Sequence, residues 1–323
     1  MIKGKKQIGI LTSGGDSPGM NAIIRSVVKT SNARDITSVG IYNGYNGLLN
    51  KAYKILQAND VDDILKQGGT VLYTARCMEF YNESYRKKAY LNAVEMGLDG
   101  LIVIGGDGSY QGARELSKLG LKCIGIPGTI DNDISCTDYT IGFDTAMNTA
   151  VEMIDRLNDT SISHNRCSVV EVMGRHSGHI ALNVGIACGA VAVITEEVPI
   201  QINDIIKRIN KLCSNGKRHF IIVVSEGVGN CEKIAGEIQK NTNIDTRSTV
   251  LGHVQRGGNP SVKDRIIATR MGNYAVNLID NNIGDRVVVM RDNKIVDYDI
   301  QEALKMKKSL DLNLYNILNE INI

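Results

Sequence analysis

Four times along the chain, a short β-branched run stops on a cluster of glycine and small polar residues. Leu11 leads into Thr12-Ser13-Gly14-Gly15-Asp16, and Ile104 into Gly105-Gly106-Asp107-Gly108-Ser109. Ile126 leads into Pro127-Gly128-Thr129-Ile130-Asp131-Asn132-Asp133, and Met173 into Gly174-Arg175. A strand that ends on glycine and is followed by a helix-period segment is the signature of a parallel βαβ unit. In open parallel sheets the carboxyl ends of the strands are where ligands bind. The placement of these clusters therefore constrains both fold and function.

Further apolar runs extend the pattern. Strands are predicted at Ile8–Leu11, Ser38–Ile41, Leu101–Ile104, Cys123–Ile126, Cys167–Val172, Phe220–Val224 and Val287–Met290. Helices are predicted at Met20–Thr30, Ser84–Met96, Tyr110–Leu119, Thr145–Asn158, His179–Cys188, Asn203–Cys213 and Ile266–Asp280. Several strands lack polar alternation, as expected when helices cover both faces of a sheet. The fold class that follows is α/β, with largely parallel sheets. No low-complexity linker divides the chain, so two lobes joined by crossings of the chain are expected rather than a flexible tether. The 33 glycines among 323 residues are a surplus, but there is no G-X-Y period and there are only 4 prolines, which excludes collagen. A 43% hydrophobic content with nearly balanced charge excludes a disordered chain.

A net charge of +2 offers no field for nucleic acid or an anionic membrane. The seven cysteines are scattered without a C-x-x-C pair, which argues against a zinc cage and for reduced thiols in a cytoplasmic protein. Lys3, Lys5 and Lys6 imitate the start of a signal peptide, but the apolar run behind them is too short. The greasiest stretch, 180–194, is interrupted by Asn183 and falls short of a membrane span.

Glycine turns at helix N-termini let backbone N–H groups approach phosphate oxygens. Gly14-Gly15 and Gly105 to Gly108 both qualify, although neither matches the P-loop or the dinucleotide fingerprint. Asp107 adds a carboxylate able to hold Mg²⁺ against a polyphosphate. Thr129 to Asp133 places two carboxylates beside a hydroxyl; it reads either as an Asx-rich helix cap or as a base toward a substrate hydroxyl. Arg76, Arg166, Arg175, Arg247 and Arg256 are candidate phosphate forks, with Arg175 and Arg256 in glycine-flanked, non-helical settings. Glu226 follows a strand end and could accept from sugar hydroxyls.

These motifs, in this order, resemble the bacterial ATP-dependent 6-phosphofructokinase family. The resemblance runs through LTSGGDSPGMNAIIR at 11–25, GGT at 68–70, GGDGS at 105–109, PGTIDNDI at 127–134, DYTIGFDTA at 138–146, VVEVMGRHSGH at 169–179 and VLGHVQRGG at 250–258. It implies two Rossmann-like three-layer α/β/α lobes: 1–141 with 254–304 for ATP, and 142–253 with 305–323 for fructose 6-phosphate. It implies that Gly15, Arg76, Cys77, Gly106, Asp107, Gly108 and Ser109 bind ATP, with Asp107 on Mg²⁺. Asp131 would be the base, with Thr129 and Ile130 beside it, and Arg175, Gly15 and Arg76 would assist transfer. Met173, Gly174, Glu226, His253, Val254, Gln255 and Arg256 would hold the sugar phosphate. Arg166 and Arg247 would reach in from a neighbouring subunit of a homotetramer.

Pyrophosphate-using relatives typically carry Asp at the glycine that follows the aspartate of GGDGS and Lys before the Thr. Gly108 and Gly128 stand here, so ATP is the expected donor; a pyrophosphate enzyme and a silent regulatory subunit are the alternatives. In the family's effector site, where ADP activates and phosphoenolpyruvate inhibits, Arg25, Lys29, Lys217, Arg218 and His219 match or nearly match. Ala58, Asn158, Val191 and Asn215 replace Arg, Arg, Glu and Lys. Intact catalysis with weakened effector control is the expectation.

Overall fold

A computed structural model describes residues 5–321. Lys3 and the outermost residues of the two expected lobes, 1–4 and 322–323, lie outside the described residues. The strands are β1 (Gln7–Thr12), β2 (Thr37–Ile41), β3 (Tyr53–Leu56), β4 (Gly100–Gly105), β5 (Cys123–Pro127), β6 (Cys167–Val172), β7 (Ala192–Ile194), β8 (Phe220–Ser225), β9 (Thr246–Val250), β10 (Arg286–Arg291) and β11 (Lys294–Asp299). They form a seven-stranded sheet ordered β11-β10-β5-β4-β1-β2-β3 and a four-stranded sheet ordered β7-β8-β6-β9. The second is wholly parallel. The first is parallel except for its edge strands β3 and β11.

Contacts divide the chain into two compact units. One runs to Ile130 and adds Ile134–Thr145 and Arg256–Lys308; the other comprises Asp131–Asp133, Ala146–Gln255 and the segment from Ser309. Each has its own core. In the first, Leu11, Leu101, Val103, Cys123 and Val287 from the sheet pack with Tyr45, Tyr110 and Leu116. In the second, Val169, Ile194, Phe220 and Ile222 pack against Ile205, Ile209, Ile234 and Ile238.

Every predicted strand and helix is present with shifted ends, and the helices Tyr45–Asn50, Cys231–Thr242 and Leu312–Ile321 add to the predicted set. The helix after GGDGS begins at Asp107, inside the motif, rather than at Tyr110. No helix starts at Thr129 to Asp133; the next begins at Phe143, which removes the helix-cap reading of that segment. Strands β3, β7, β9 and β11 are absent from the predicted set. β3, β9 and β11 are edge strands whose residues are mostly exposed or half-buried, so they lack the apolar run that marks a buried strand, whereas β7 is buried and falls within the apolar stretch 180–194.

Candidate active site

In the larger unit, parallel pairing sets Thr12 beside Ile104 and Gly105 beside Pro127. Three glycine clusters therefore leave three adjacent strands, β1, β4 and β5, at one sheet edge. From β1 the chain moves to β2 on one side, whereas β4 and β5 lie on the other. The switch point falls between β1 and β4, where an open α/β sheet forms its ligand crevice.

The two glycine loops at that point are tied together. Ser13 N–H donates to the Ile104 carbonyl at 2.9 Å, and Ser109 Oγ to the Ser13 carbonyl at 3.1 Å. Thr74 Oγ1 donates to the Gly14 carbonyl at 2.7 Å, and the Tyr45 hydroxyl to the Ser109 carbonyl at 2.5 Å. Tyr45 is buried and stacked on Phe80. It acts as a prop under the loop. Ser109 is buried, whereas Asp107 and Gly108 are exposed in the first turn of the helix Asp107–Lys118.

A Cβ added at Gly106 or at Gly108 would meet nothing within 4 Å. Neither residue has the positive φ that favours glycine. With no conformational or internal packing reason for glycine, the open space above a helix N-terminus is a cradle fitted to an anion. Asp107 stands in that cradle. Among the described residues no group of three or more His, Cys, Asp or Glu could hold a metal. A single carboxylate fits Mg²⁺ that takes its other ligands from phosphate and water. Gly128 differs, because a Cβ there would lie 3.0 Å from Ile104 Cγ2 and 3.1 Å from Met20 Cε. Core packing alone accounts for glycine at 128.

Arg76 is exposed and Cys77 half-buried. Desolvation pushes the Cys77 thiol up from its usual range, so it stays protonated at neutral pH. Arg256, expected at the sugar phosphate, packs on the Gly15-Asp16 turn: Nη1 donates to the Asp16 carbonyl at 3.2 Å, and a side chain on Gly15 would strike the guanidinium. Thr129 is half-buried, its carbonyl accepting from Thr140 Oγ1 at 2.7 Å, and Ile130 is fully buried. Ile130 therefore offers a ligand its backbone only.

In the smaller unit, β6 lies between β8 and β9. Glu226 N–H bonds to the Val172 carbonyl at 2.9 Å, and Leu251 N–H to the Glu171 carbonyl at 3.0 Å. Met173 to Arg175, Glu226 and the turn at Gly252 to Gln255 thus share one sheet edge. Glu226 does not simply face outward. Its Oε1 accepts from Gly174 N–H at 3.3 Å and from Arg175 N–H. Arg175 sits at φ +57°, a left-handed conformation that costs energy outside glycine, and its side chain is exposed. Met173 and Gln255 are buried, and His253 and Val254 exposed. Asp131 is buried, and Ser177 Oγ donates to its carbonyl at 3.3 Å.

Arg166 and Arg247 stand apart from this cluster. Arg166 precedes β6, and Arg247 pairs with Ser168 near the start of β9. Both lie at the amino edge of the sheet, a six-residue strand or roughly 17 Å from Met173 to Arg175. Of the effector candidates, Lys29 Nζ is paired with Asp62 Oδ1 at 2.5 Å, and Lys217 Nζ lies 5.8 Å from the Phe220 ring centroid. Arg25 and His219 are half-buried and Arg218 exposed.

A phosphofructokinase family profile matches residues 7–279. Curated relatives named ATP-dependent 6-phosphofructokinase include one from Bacillus cytotoxicus, 51% identical, and one from Bacillus cereus, 52% identical. Each match covers 98% of this chain and 100% of the relative. Among solved structures, phosphofructokinase from Saccharomyces cerevisiae matches with TM-score 0.87 at 35% identity, over 98% of this chain and 48% of that one. A pyrophosphate-dependent phosphofructokinase from Marinobacter aquaeolei matches with TM-score 0.85 at 22% identity, over 95% of this chain and 86% of that one, a likeness of fold alone. No helix among the described residues is long and apolar enough to cross a membrane.

Proposed function

The chain belongs to the phosphofructokinase family, and from that premise we propose how its residues divide the work of the reaction. It is an enzyme that transfers the γ-phosphoryl group of ATP to the 1-hydroxyl of fructose 6-phosphate, giving fructose 1,6-bisphosphate and ADP. The observation that carries the division is the open cradle at Gly106 and Gly108, beside the Gly14-Gly15 turn.

Gly15, Arg76, Cys77 and Gly106 to Ser109 hold the ATP phosphates, with backbone N–H groups and the helix dipole facing the anion. Asp107 holds Mg²⁺, which when bound offsets the charge on the β- and γ-phosphoryl oxygens. Asp131 accepts the proton of the 1-hydroxyl as its oxygen bonds to the γ-phosphorus and the bond to ADP breaks. Thr129 and the Ile130 backbone orient that hydroxyl. Arg175 offers a planar fork to the transferring group. Met173, Gly174, Glu226 and His253 to Arg256 bind the sugar phosphate.

Arg166 and Arg247 serve the sugar phosphate of a neighbouring copy, a reading supported by their place at the opposite sheet edge from Arg175. Homotetramer assembly and a cytoplasmic location belong to the same proposal, as does a division into an ATP lobe (1–141, 254–304) and a sugar lobe (142–253, 305–323).

The test is Asp131→Asn in a coupled assay supplied with ATP or with pyrophosphate. Loss of a general base should lower kcat by roughly 10²–10⁴ and leave ATP binding nearly unchanged. An unchanged kcat removes Asp131 from the role. Turnover of pyrophosphate but not ATP by the wild type overturns the donor.

A further inference from the structure

Strand pairing brings one carboxylate between the two arginines at the amino edge of the smaller sheet. Cys167 pairs with Thr246 in the β6–β9 ladder, so the preceding residues, Arg166 and Asp245, face each other. Cys167 N–H donates to the Asp245 carbonyl at 3.0 Å, which closes the ladder at that point. Arg247 follows Asp245 by two residues and projects to the same face of β9. Arg166 Nε lies 2.5 Å from Asp245 Oδ2, and Arg247 Nε 3.1 Å from Oδ1.

We propose that Asp245 is a positioning residue for fructose 6-phosphate binding, holding Arg166 and Arg247 as a paired clamp that a neighbouring copy's sugar phosphate enters. The proposal rests on the reading above that these two arginines serve that phosphate. Its geometry has three consequences. Each carboxylate oxygen takes one guanidinium through Nε, so the terminal amino groups of both forks are left for a phosphate. The carboxylate offsets the repulsion between two cations held close together, while the trio keeps one net positive charge for the anion. Finally, Arg247 is exposed and Arg166 and Asp245 are half-buried, and ion pairs this open to solvent contribute little to folding. The value of the arrangement lies in ordering two long side chains before the ligand arrives, which reduces the entropy lost on binding. The guanidinium of Arg166 also holds the Asp245 carboxyl below its usual range, so the clamp stays ionised at neutral pH.

The test compares Asp245→Ala, Asp245→Asn and Asp245→Glu with Arg166→Ala and Arg247→Ala, all in the full chain, with melting temperature and assembly mass as controls. Asp245→Ala should raise the KM for fructose 6-phosphate about tenfold, with kcat and the KM for ATP within about twofold of wild type. The near-isosteric Asp245→Asn should show the same split in weaker form, and Asp245→Glu should recover most of the loss. Adding Asp245→Ala to the Arg166→Ala, Arg247→Ala double variant should change the KM little, because nothing remains to position. If either arginine variant raises the KM and Asp245→Ala and Asp245→Asn do not, the positioning role alone is overturned. If neither arginine variant moves the KM, the reading beneath it fails as well.

Discussion

The hydroxyl of Tyr139 donates to Asp264 Oδ1 across 2.6 Å, joining two buried residues 125 positions apart. The same carboxylate accepts from Gly142 N–H at 2.8 Å, Thr145 N–H at 3.0 Å and Thr145 Oγ1 at 2.5 Å. Asp264 lies in the first turn of the helix Val262–Asp280, capped by Ser261. One side chain thus clamps the DYTIGFDT segment onto a helix start. Asp264→Ala strands several buried donors at once and should destabilise the fold by about 3–5 kcal/mol. Chemical denaturation measures it; a loss below about 1 kcal/mol would show that the network is not structural.

Burial raises the Asp264 pKa above its ordinary value despite those bonds. The folded state then binds the proton more tightly than the unfolded chain does. Favourable linkage from this group is complete below the unfolded pKa and is lost as pH rises through the folded one. The stability of wild type relative to the non-titrating Asp264→Asn should therefore fall as pH rises from about 4 until the raised folded pKa is passed, then level off. Paired denaturation curves across that range check the sign, and a rising difference contradicts it.

Gly108 and Gly128, which play the same part in the sequence argument about the donor, behave differently in space. Gly108→Asp enters open space in a helix first turn, where an acidic residue is welcome, so stability should change by less than about 1 kcal/mol. Its charge opposes a phosphate, and kcat/KM for ATP should fall roughly tenfold to a hundredfold. Gly128→Ala pushes against Ile104 and Met20 and should lower the melting temperature first. Kinetics and melting of the two variants separate the effects. A Gly108→Asp variant that melts early but uses ATP normally would reverse the assignment.

What could be read from sequence was whatever local physics signals. The double-sided apolar runs of β1, β4, β5, β6 and β8 and the glycine stops after β1, β4, β5 and β6 placed most candidate residues on strand ends. Residues whose roles depend on register were hidden. Asp245 sits before the polar edge strand β9, and its meeting with Arg166 is set by a pairing 79 positions away in sequence. Arg256 and Glu226 were legible as charged residues near glycine or a strand end, but not as partners of the Gly15-Asp16 turn and the Arg175 backbone. β7 was concealed inside the apolar stretch 180–194, where no change of period separates helix from strand.

Effector control should be weak. Lys29, a near match to the family's effector residues, is engaged by Asp62. Val191 is fully buried, and its carbonyl accepts from Arg208 Nη1 at 2.9 Å, so that position presents no carboxylate. With two guanidinium forks also replaced by Ala58 and Asn158, at roughly 1.5–3 kcal/mol per charged hydrogen bond, anion affinity should drop by orders of magnitude. Phosphoenolpyruvate at low micromolar concentration should leave the fructose 6-phosphate saturation curve unmoved; sharp inhibition there contradicts the expectation.

The fork proposed for Arg175 requires its left-handed backbone to be held, and Glu226 does the holding through the N–H groups of Gly174 and Arg175. Glu226→Ala releases a turn whose strain is of order 1–3 kcal/mol, and kcat should fall roughly tenfold to a hundredfold. Glu226→Gln retains an acceptor oxygen without the charge and should lose less. Because the effect passes through Arg175, adding Glu226→Ala to Arg175→Ala should lower kcat little further. Full additivity in kcat would mean that Glu226 does not act on the chemistry through the turn, leaving only its proposed contact with the sugar.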